Sequence, residues 1–370
     1  MSKIAVIGYG VVGSGTVELF EKNKAAISKK VGRPVEIKYI VDLREFPDSP
    51  YADKFVKDFN VVLNDDEIEV VAELMGGLNP AYSFTKQLLE VGKSVVTSNK
   101  ELVAYHGAEL LEIARKHNAN YLFEASVGGG IPIIRPIHKC LAGNTIEQIS
   151  GILNGTTNFI LTKMVKEQVD FASALKTAQK LGYAEKDPTA DVEGHDACRK
   201  ICILGSLAFG KHIYPEMVHC SGITRITTED MEYAENAGYA VKLIGTVKAM
   251  DDGRLTAVVC PRFVSRGNIL SSVEDVYNAI TVTGDGVGDV MFYGKGAGKL
   301  PTASAVVGDI IDALKASGAR AGYFVGGQHR PQLYGFAQKS GGFDVRAHSF
   351  RQSGAAQVIA FGAVRQADFH

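Results

Sequence analysis

The sequence predicts an α/β protein: a parallel sheet at the N-terminus, joined by an inserted α+β domain. Three observations predict it. Short apolar runs alternate with amphipathic stretches over the first 130 residues, the rhythm of strand–helix–strand units with right-handed crossovers. The first run ends in a glycine turn that leads straight into a helical pattern. Beyond residue 130 the alternation gives way to clustered helices and separate strands.

Taken in order, Lys3–Ile7 reads as a strand and Gly13–Lys29 as a helix. Val35–Val41, rich in β-branched residues, is the second strand and Val70–Leu74 the third. A helix over Asn79–Glu90, a strand over Ser94–Ser98, a helix over Glu101–His117 and a strand over Tyr121–Val127 follow. The pattern then changes. Ile131–Leu141 reads as helical, with Pro132 in its first turn. Thr145–Leu153 is strand-like, and helices are expected over Thr156–Val165 and Phe171–Leu181. A loop holds Gly182–Asp191, and a strongly apolar helix covers His195–Phe209. Strands are expected at Leu255–Val264 and Ala279–Val282, and a last helix over residues 301–314.

The domains are therefore read as 1–130, completed by a helix over 301–315, then 131–300, and a tail of unassigned fold over 316–370. The tail holds six Lys and Arg, two Asp, no Glu and nine Gly, with poor periodicity.

Composition excludes several classes. The 370 residues are 46% hydrophobic and 22% charged, with a formal net charge of −1, which gives no electrostatic footprint for nucleic acid or a membrane surface. No apolar run is long enough to span a bilayer, and residues 3–7 lead into a turn rather than a cleavage site. The cytoplasm is the expected location. The five Cys (140, 198, 202, 220, 260) have no CxxC or Cys/His zinc spacing and read as reduced thiols, mostly buried.

The strongest motif is Gly8-Tyr9-Gly10-Val11-Val12-Gly13. A lone GxGxxG is weak, but this one follows a strand and opens a helix at the start of a β-α-β unit. Gly8 permits the tight turn, Gly10 lets backbone approach a pyrophosphate, and Gly13 lets helix and strand pack closely. The helix N-terminus then offers unpaired N–H groups to the phosphates. This is the pattern of a Rossmann-type dinucleotide site.

At the end of the second strand, Asp42 would accept hydrogen bonds from ribose hydroxyls and favour NAD, although it lies further beyond Gly13 than the usual ~20 residues. Arg44 beside it would suit the 2′-phosphate of NADP. NAD is favoured, and use of both stays open. Gly76-Gly77 and Gly128-Gly129-Gly130 also follow strands, which points to one crevice at the carboxyl ends of the sheet.

Two groups could do chemistry. Lys100 stands where a strand ends and a helix begins, on the edge that carries Gly8–Gly13. Taken alone it is more simply a surface lysine. The second group runs Gly182, Tyr183, Glu185, Asp187, Asp191, Glu193, Asp196, Lys200. Asp196 and Lys200 are four apart and share a helix face. A lysine at the edge of a buried helix becomes a useful acid or base through desolvation, which a neighbouring carboxylate opposes. A helix-surface ion pair is the equal alternative. The acids near Glu185 would bind a substrate ammonium, or form a solvated loop. His138 and His195 have no second ligand at metal-binding spacing.

Together these residues resemble homoserine dehydrogenases. The resemblance is carried by GYGVVGSG (8–15), VAELMGG (71–77), VVTSNKELVA (95–104), FEASVGGGIPII (123–134), GILNGTTNFIL (151–161), GYAEKDPTADVEGHDACRK (182–200) and YGKGAGKLPTASAVVGDI (293–310), and it spans roughly residues 1–315. It implies that Lys200 is the proton donor and acceptor at the substrate oxygen and Lys100 the second active-site lysine. Glu185 and Asp196 would bind the substrate amino acid, with Asp191 and Tyr183 beside them. Gly182 and the loop Gly296-Ala297-Gly298 match cofactor contacts. Glu124, Val127, Gly129 and Ile131 match a monovalent-cation site, where one carboxylate and backbone carbonyls suit sodium. A homodimer built through the substrate domains is implied too.

Two departures matter. The family often has Arg just before the Asp that ends the second strand. Val41 stands there, which weakens the case for NADP. Many bacterial relatives carry a C-terminal ACT domain of about 70 residues in a β-α-β-β-α-β pattern. The 55-residue tail lacks that pattern, so threonine feedback through such a domain is not expected. The reaction implied is the NAD(P)-dependent interconversion of L-homoserine and L-aspartate 4-semialdehyde. Another Rossmann-type amino-acid dehydrogenase, or a nucleotide-sensing protein without catalysis, are the rival readings.

Overall fold

The structure is a computed structural model that describes residues 1–316 and the short strand Val358–Ala360. Apart from that strand, the expectations about the tail lie outside the described residues.

In chain order the strands are β1 (Ser2–Ile7), β2 (Val35–Val41), β3 (Phe55–Val56), β4 (Ile68–Glu73), β5 (Ser94–Thr97), β6 (Tyr121–Leu122), β7 (Ile146–Ile152), β8 (His219–Cys220), β9 (Tyr239–Ala249), β10 (Leu255–Ser265), β11 (Tyr277–Gly284), β12 (Gly288–Lys295) and β13 (Val358–Ala360). The helices are α1 (Val11–Lys22), α2 (Lys24–Val31), α3 (Asn60–Leu63), α4 (Ala81–Glu90), α5 (Lys100–Lys116), α6 (Gly155–Glu167), α7 (Phe171–Lys180), α8 (Thr189–Val192), α9 (His195–Phe209), α10 (Thr228–Asn236) and α11 (Lys299–Lys315).

The chain divides into two compact units. The first holds Met1–Gly143, Ile203–His212 and the described residues 295–316. Its six strands are all parallel, in the order β3-β2-β1-β4-β5-β6. A parallel sheet is covered on both faces, so its inner strands are apolar without alternation. Ile4, Ala5, Val6 and Ile7 of β1 are all buried, as are Val70, Val71 and Ala72 of β4. Helix α11 packs along α1. The close approach needs Gly15, where a Cβ would stand 2.9 Å from the Lys299 carbonyl oxygen. Lys299 also pairs with Glu18 at 2.7 Å.

The second unit holds Asn144–Cys202, Ile213–Gly294 and β13. Its main sheet runs β12-β11-β7-β9-β10-β13, with β8 on β10. The pairs β11–β7, β7–β9, β9–β10 and β10–β13 are antiparallel. Ile152, Ile244, Val264, Leu270, Val273 and Ala279 form one apolar cluster of this unit. Helices α6 and α10 pack on β9.

Several expectations shift. The first unit extends to Gly143 rather than 130, because residues 133–135 are bound into it. Their amides donate to the buried Glu124 carboxylate at 2.7, 2.9 and 2.7 Å. Arg135 reaches Asp309 of α11 at 2.6 Å and Asp312 at 2.8 Å. The strand expected to run to Val127 stops at Leu122, since Glu124–Ser126 turn as a short 3₁₀ segment. The helix expected over Ile131–Leu141 is a single π turn at Pro136–Cys140, closed by Leu141 N–H to the Pro136 carbonyl. Pro136 has no amide to continue an α ladder. The single helix expected over Gly13–Lys29 is two, divided at Asn23. Strands β9 and β12 and helix α10 were not expected. Cys198 and Cys202 are buried, Cys220 and Cys260 half-buried and Cys140 exposed, and all five are free thiols.

Asp309 has no exposure to solvent. Burial pushes its carboxyl up to about 7, while Arg135 pulls it down. The Glu124 N–H donates to its other oxygen at 2.8 Å. Removing one partner of such a pair strands the other, at a cost of about 3–5 kcal/mol. Arg135→Met is therefore expected to lower unfolding free energy by about 3 kcal/mol in a urea titration. A loss below about 1 kcal/mol would mean that solvent, not Arg135, satisfies Asp309.

Candidate active site

One group of candidate residues lies in each unit. In the first unit the strand order reverses beside β1, so the crevice lies off the carboxyl ends of β1 and β4. Gly8 has φ +93°, and a Cβ there would stand 2.9 Å from the Leu74 carbonyl oxygen. A Cβ on Gly13 would stand 1.9 Å from the Gly8 carbonyl oxygen, so the turn closes only with glycine at that position. Gly10 is the N-cap of α1 in extended conformation and has no side-chain cap bond. Open space surrounds its Cβ position, and Val11 beside it is exposed while Val12 is half-buried. Uncapped amides at an open helix start are what a pyrophosphate needs. The residues therefore fit a dinucleotide.

Asp42 follows β2. Its carboxylate accepts from Tyr9 N–H at 2.8 Å, Arg44 N–H at 3.0 Å, Arg44 Nε at 2.9 Å and Arg44 Nη2 at 2.9 Å. The Arg44 guanidinium, helped by both amides, holds the carboxyl far below the usual carboxylate range. Arg44 itself is largely exposed. The acid and the cation that argue for different cofactors are thus bound to each other.

The Lys100 edge is built by a chain of buried polar groups. Thr97 Oγ1 donates to Glu73 Oε2 at 2.7 Å and accepts from Asn99 N–H at 2.9 Å. Asn99 Oδ1 caps α5 through Leu102 N–H at 3.0 Å, and its Nδ2 donates to the Gly77 carbonyl at 2.6 Å. Burial raises the Glu73 carboxyl above its ordinary value. Lys100, the first residue of α5, is positioned by this chain, together with the loop of Gly76 and Gly77, both at positive φ.

Gly298, at φ +130°, is the N-cap of α11. A Cβ on Gly129 would stand 2.3 Å from the Gly296 carbonyl oxygen, so the Val127–Ile131 loop lies against the Gly296–Gly298 loop. Three amides already occupy the Glu124 carboxylate, which has about four lone-pair positions. One remains, and the loop that follows carries backbone carbonyls of its own. That donor set fits a hard monovalent cation. Among the described residues no cluster of three or more His, Cys, Asp or Glu could hold a metal ion.

In the second unit, Lys200 lies on α9 with 8% of its side chain exposed. Its Nζ contacts Asp196 Oδ2 at 2.8 Å and donates to the Leu153 carbonyl at 2.8 Å. Asn154 donates to Asp191 Oδ1 at 2.6 Å and to Asp196 Oδ2 at 2.9 Å. The structure therefore joins Asp191, Asp196 and Lys200, and the pair is buried rather than on the helix surface. Tyr183 stands apart from this network. Its ring packs on Phe159 with centroids 4.9 Å apart, and its carbonyl accepts from Thr156 Oγ1. Gly182 turns at φ +76°. The Glu185 carboxylate is exposed and makes no hydrogen bond or ion pair among the described residues.

Sequence reasoning did not single out Leu153, Asn154, Glu73, Thr97 or Asn99. The signal for Asn99 and Asn154 was present, since Asn before a helical pattern is an N-cap signature.

The comparisons with known proteins agree with this geometry. The family model described as homoserine dehydrogenase, NAD binding domain, matches residues 8–124, and that described as homoserine dehydrogenase matches residues 132–311. The chain is 44% identical to the homoserine dehydrogenase of Synechocystis sp. over 84% of its own length and 72% of the relative. It is 39% identical to that of Bacillus subtilis over 90% of its length and 77% of the relative. Among solved structures it is similar to a homoserine dehydrogenase from Thiobacillus denitrificans, with a TM-score of 0.82, 39% identity, and coverage of 86% of this chain and 74% of that one. It is also similar to a hyperthermophilic archaeal homoserine dehydrogenase mutant in complex with NADPH, with a TM-score of 0.72, 29% identity, and coverage of 84% and 97%. Similarity of that extent, with the glycine turn and the Lys200 cluster inside the matched stretches, makes the chain a member of the homoserine dehydrogenase family and an NAD(P)-dependent oxidoreductase.

Proposed function

We propose that the chain interconverts L-homoserine and L-aspartate 4-semialdehyde, with Lys200 moving the proton. The observation that carries the assignment is an ammonium group taken out of water and held at 2.8 Å by one carboxylate and at 2.8 Å by one carbonyl. When bound, the nicotinamide supplies or takes the hydride. Reduction of the aldehyde then leaves an oxygen that needs a proton, which Lys200 Nζ gives. In the opposite direction Lys200 takes the proton from the alcohol.

Glu185 and Asp196 hold the amino-acid end of the substrate, and Asp191 and Tyr183 contribute to the same binding. Lys100 supplies positive charge for the substrate oxygen. Gly8, Gly10, Val11, Val12, Gly13, Gly76, Gly77, Gly182, Gly296 and Gly298 take the cofactor. Glu124 with the carbonyls of Val127, Gly129 and Ile131 holds sodium and steadies the loop that lies on Gly296. A homodimer in the cytoplasm completes the proposal, supported by the family resemblance and by five free thiols, which suit a reducing compartment.

NAD is the favoured cofactor, because Asp42 is fixed toward the crevice by Tyr9 and no Arg stands at position 41. In an absorbance assay of nicotinamide reduction, kcat/KM is expected to be higher with NAD than with NADP. Asp42→Ala should shift that ratio toward NADP by roughly tenfold, the equivalent of about 1.4 kcal/mol. A ratio that Asp42→Ala leaves unchanged removes Asp42 from cofactor choice. In the same assay with L-homoserine, Lys200→Ala should lower kcat by about 10²–10⁴-fold, the span of general acid–base catalysis. Retained turnover in a variant that still binds substrate would show that the proton moves elsewhere.

A further inference from the structure

We propose that Asn154 is a positioning residue for Lys200, and so a determinant of turnover. The inference rests on the reading of Lys200 as the proton-transfer group. Asn154 stands between β7 and α6 and is 4% exposed. Its side chain works from both ends. Oδ1 accepts from Thr157 N–H at 2.8 Å and caps α6. Nδ2 donates to Asp191 Oδ1 at 2.6 Å and to Asp196 Oδ2 at 2.9 Å. The Asp196 oxygen that receives it is the one in contact with Lys200 Nζ. Leu153, the preceding residue, gives its carbonyl to the same ammonium. Two consecutive residues at one strand end therefore hold the lysine, one through its main chain and one through a carboxylate.

The physical need is specific. Two carboxylates drawn to one point repel each other, and an amide with two hydrogens braces them without adding charge. The terminal torsion of an aspartate is soft, and the lysine stem is flexible. Without the brace, the Asp196 oxygen that meets the ammonium loses a fixed donor, and the distance between the two is less tightly set. A displacement of about 1 Å costs a catalytic group about 10²-fold in rate.

The cap and the brace separate by substitution. Asn154→Ser keeps an oxygen suited to the N-cap position and removes both N–H donors. The unfolding temperature and the cofactor KM are expected to stay near those of the parent, while kcat with L-homoserine falls by about 10²-fold. On a Lys200→Ala background the same substitution should cost nothing more, because residues acting as one unit are not additive. A folded Asn154→Ser variant with kcat within about twofold of the parent overturns the proposal, as does an undiminished additional loss on the Lys200→Ala background. If Asn154→Ser does not fold, Asn154→Asp, nearly isosteric and still a capping residue, is judged by the same kcat. Failure of the underlying reading looks different: Lys200→Ala itself would then retain turnover.

Discussion

A carboxylate with no access to water holds the first unit closed. Asp309 on α11 is satisfied by the Arg135 guanidinium and by the Glu124 amide, and Glu124 is satisfied by the three amides of residues 133–135. Buried charge is tolerated only when it is paired or hydrogen-bonded. That requirement ties together the end of β6, the π turn and α11, which lie far apart in sequence. It also holds the glycine-rich loop after β6 next to the loop that starts α11. Much of the proposed cofactor and cation edge is therefore a by-product of satisfying two acids.

The two candidate groups use charge in contrasting ways. At Asp42 an exposed guanidinium folds back on a carboxylate that also accepts a backbone amide. Solvent screens such a pair, so Arg44 can leave it at little cost. At Lys200 the pair is sealed, and a neutral amide braces it. There the geometry is stiff, and a shift of either partner disturbs the other. The first arrangement suits recognition of a ligand that comes and goes, and the second suits a proton transfer whose distances must not drift.

Much of this was legible in the sequence. Apolar runs with turn residues at their ends placed β1, β2, β4 and β5 and helix α5 within one or two residues. The strand–GxGxxG–helix order pointed to the crevice because Gly8 and Gly13 each have a steric reason, while Gly10 leaves open space beside the helix start. The helix His195–Phe209 was read to the residue, since its apolar face is continuous. Legibility failed where a polar tertiary contact overrides local preference. Tyr121–Val127 looks like a strand until Glu124 must turn inward to meet the amides of residues 133–135. Strand β9 carries Lys242 and Gly245 inside an apolar run, which broke the expected alternation. Lys242 is buried there because Asn158 and the Val273 carbonyl accept its protons. Glu185, paired with Asp196 through the family resemblance, stands on an exposed loop. Asn154 lay inside a quoted motif, but its double contact depends on Asp191 and Asp196, 37 and 42 residues further on. No local pattern announces that.

Most of the second unit lies in the chain between β6 and α11 of the first, and this has a consequence for synthesis. All six strands of the first sheet are synthesised by residue 122, but the acid that Arg135 requires lies 174 residues after it. At a translation rate of about 5–20 residues per second, the nascent sheet waits roughly 10–35 seconds for its closing helix. During that interval the α1 surface that α11 later covers, including Gly15, is open to water and to other chains. Residues 144–202 and 213–294 of the second unit emerge in the meantime, so most of its sheet precedes the helix that closes the domain begun first, and only β13 follows.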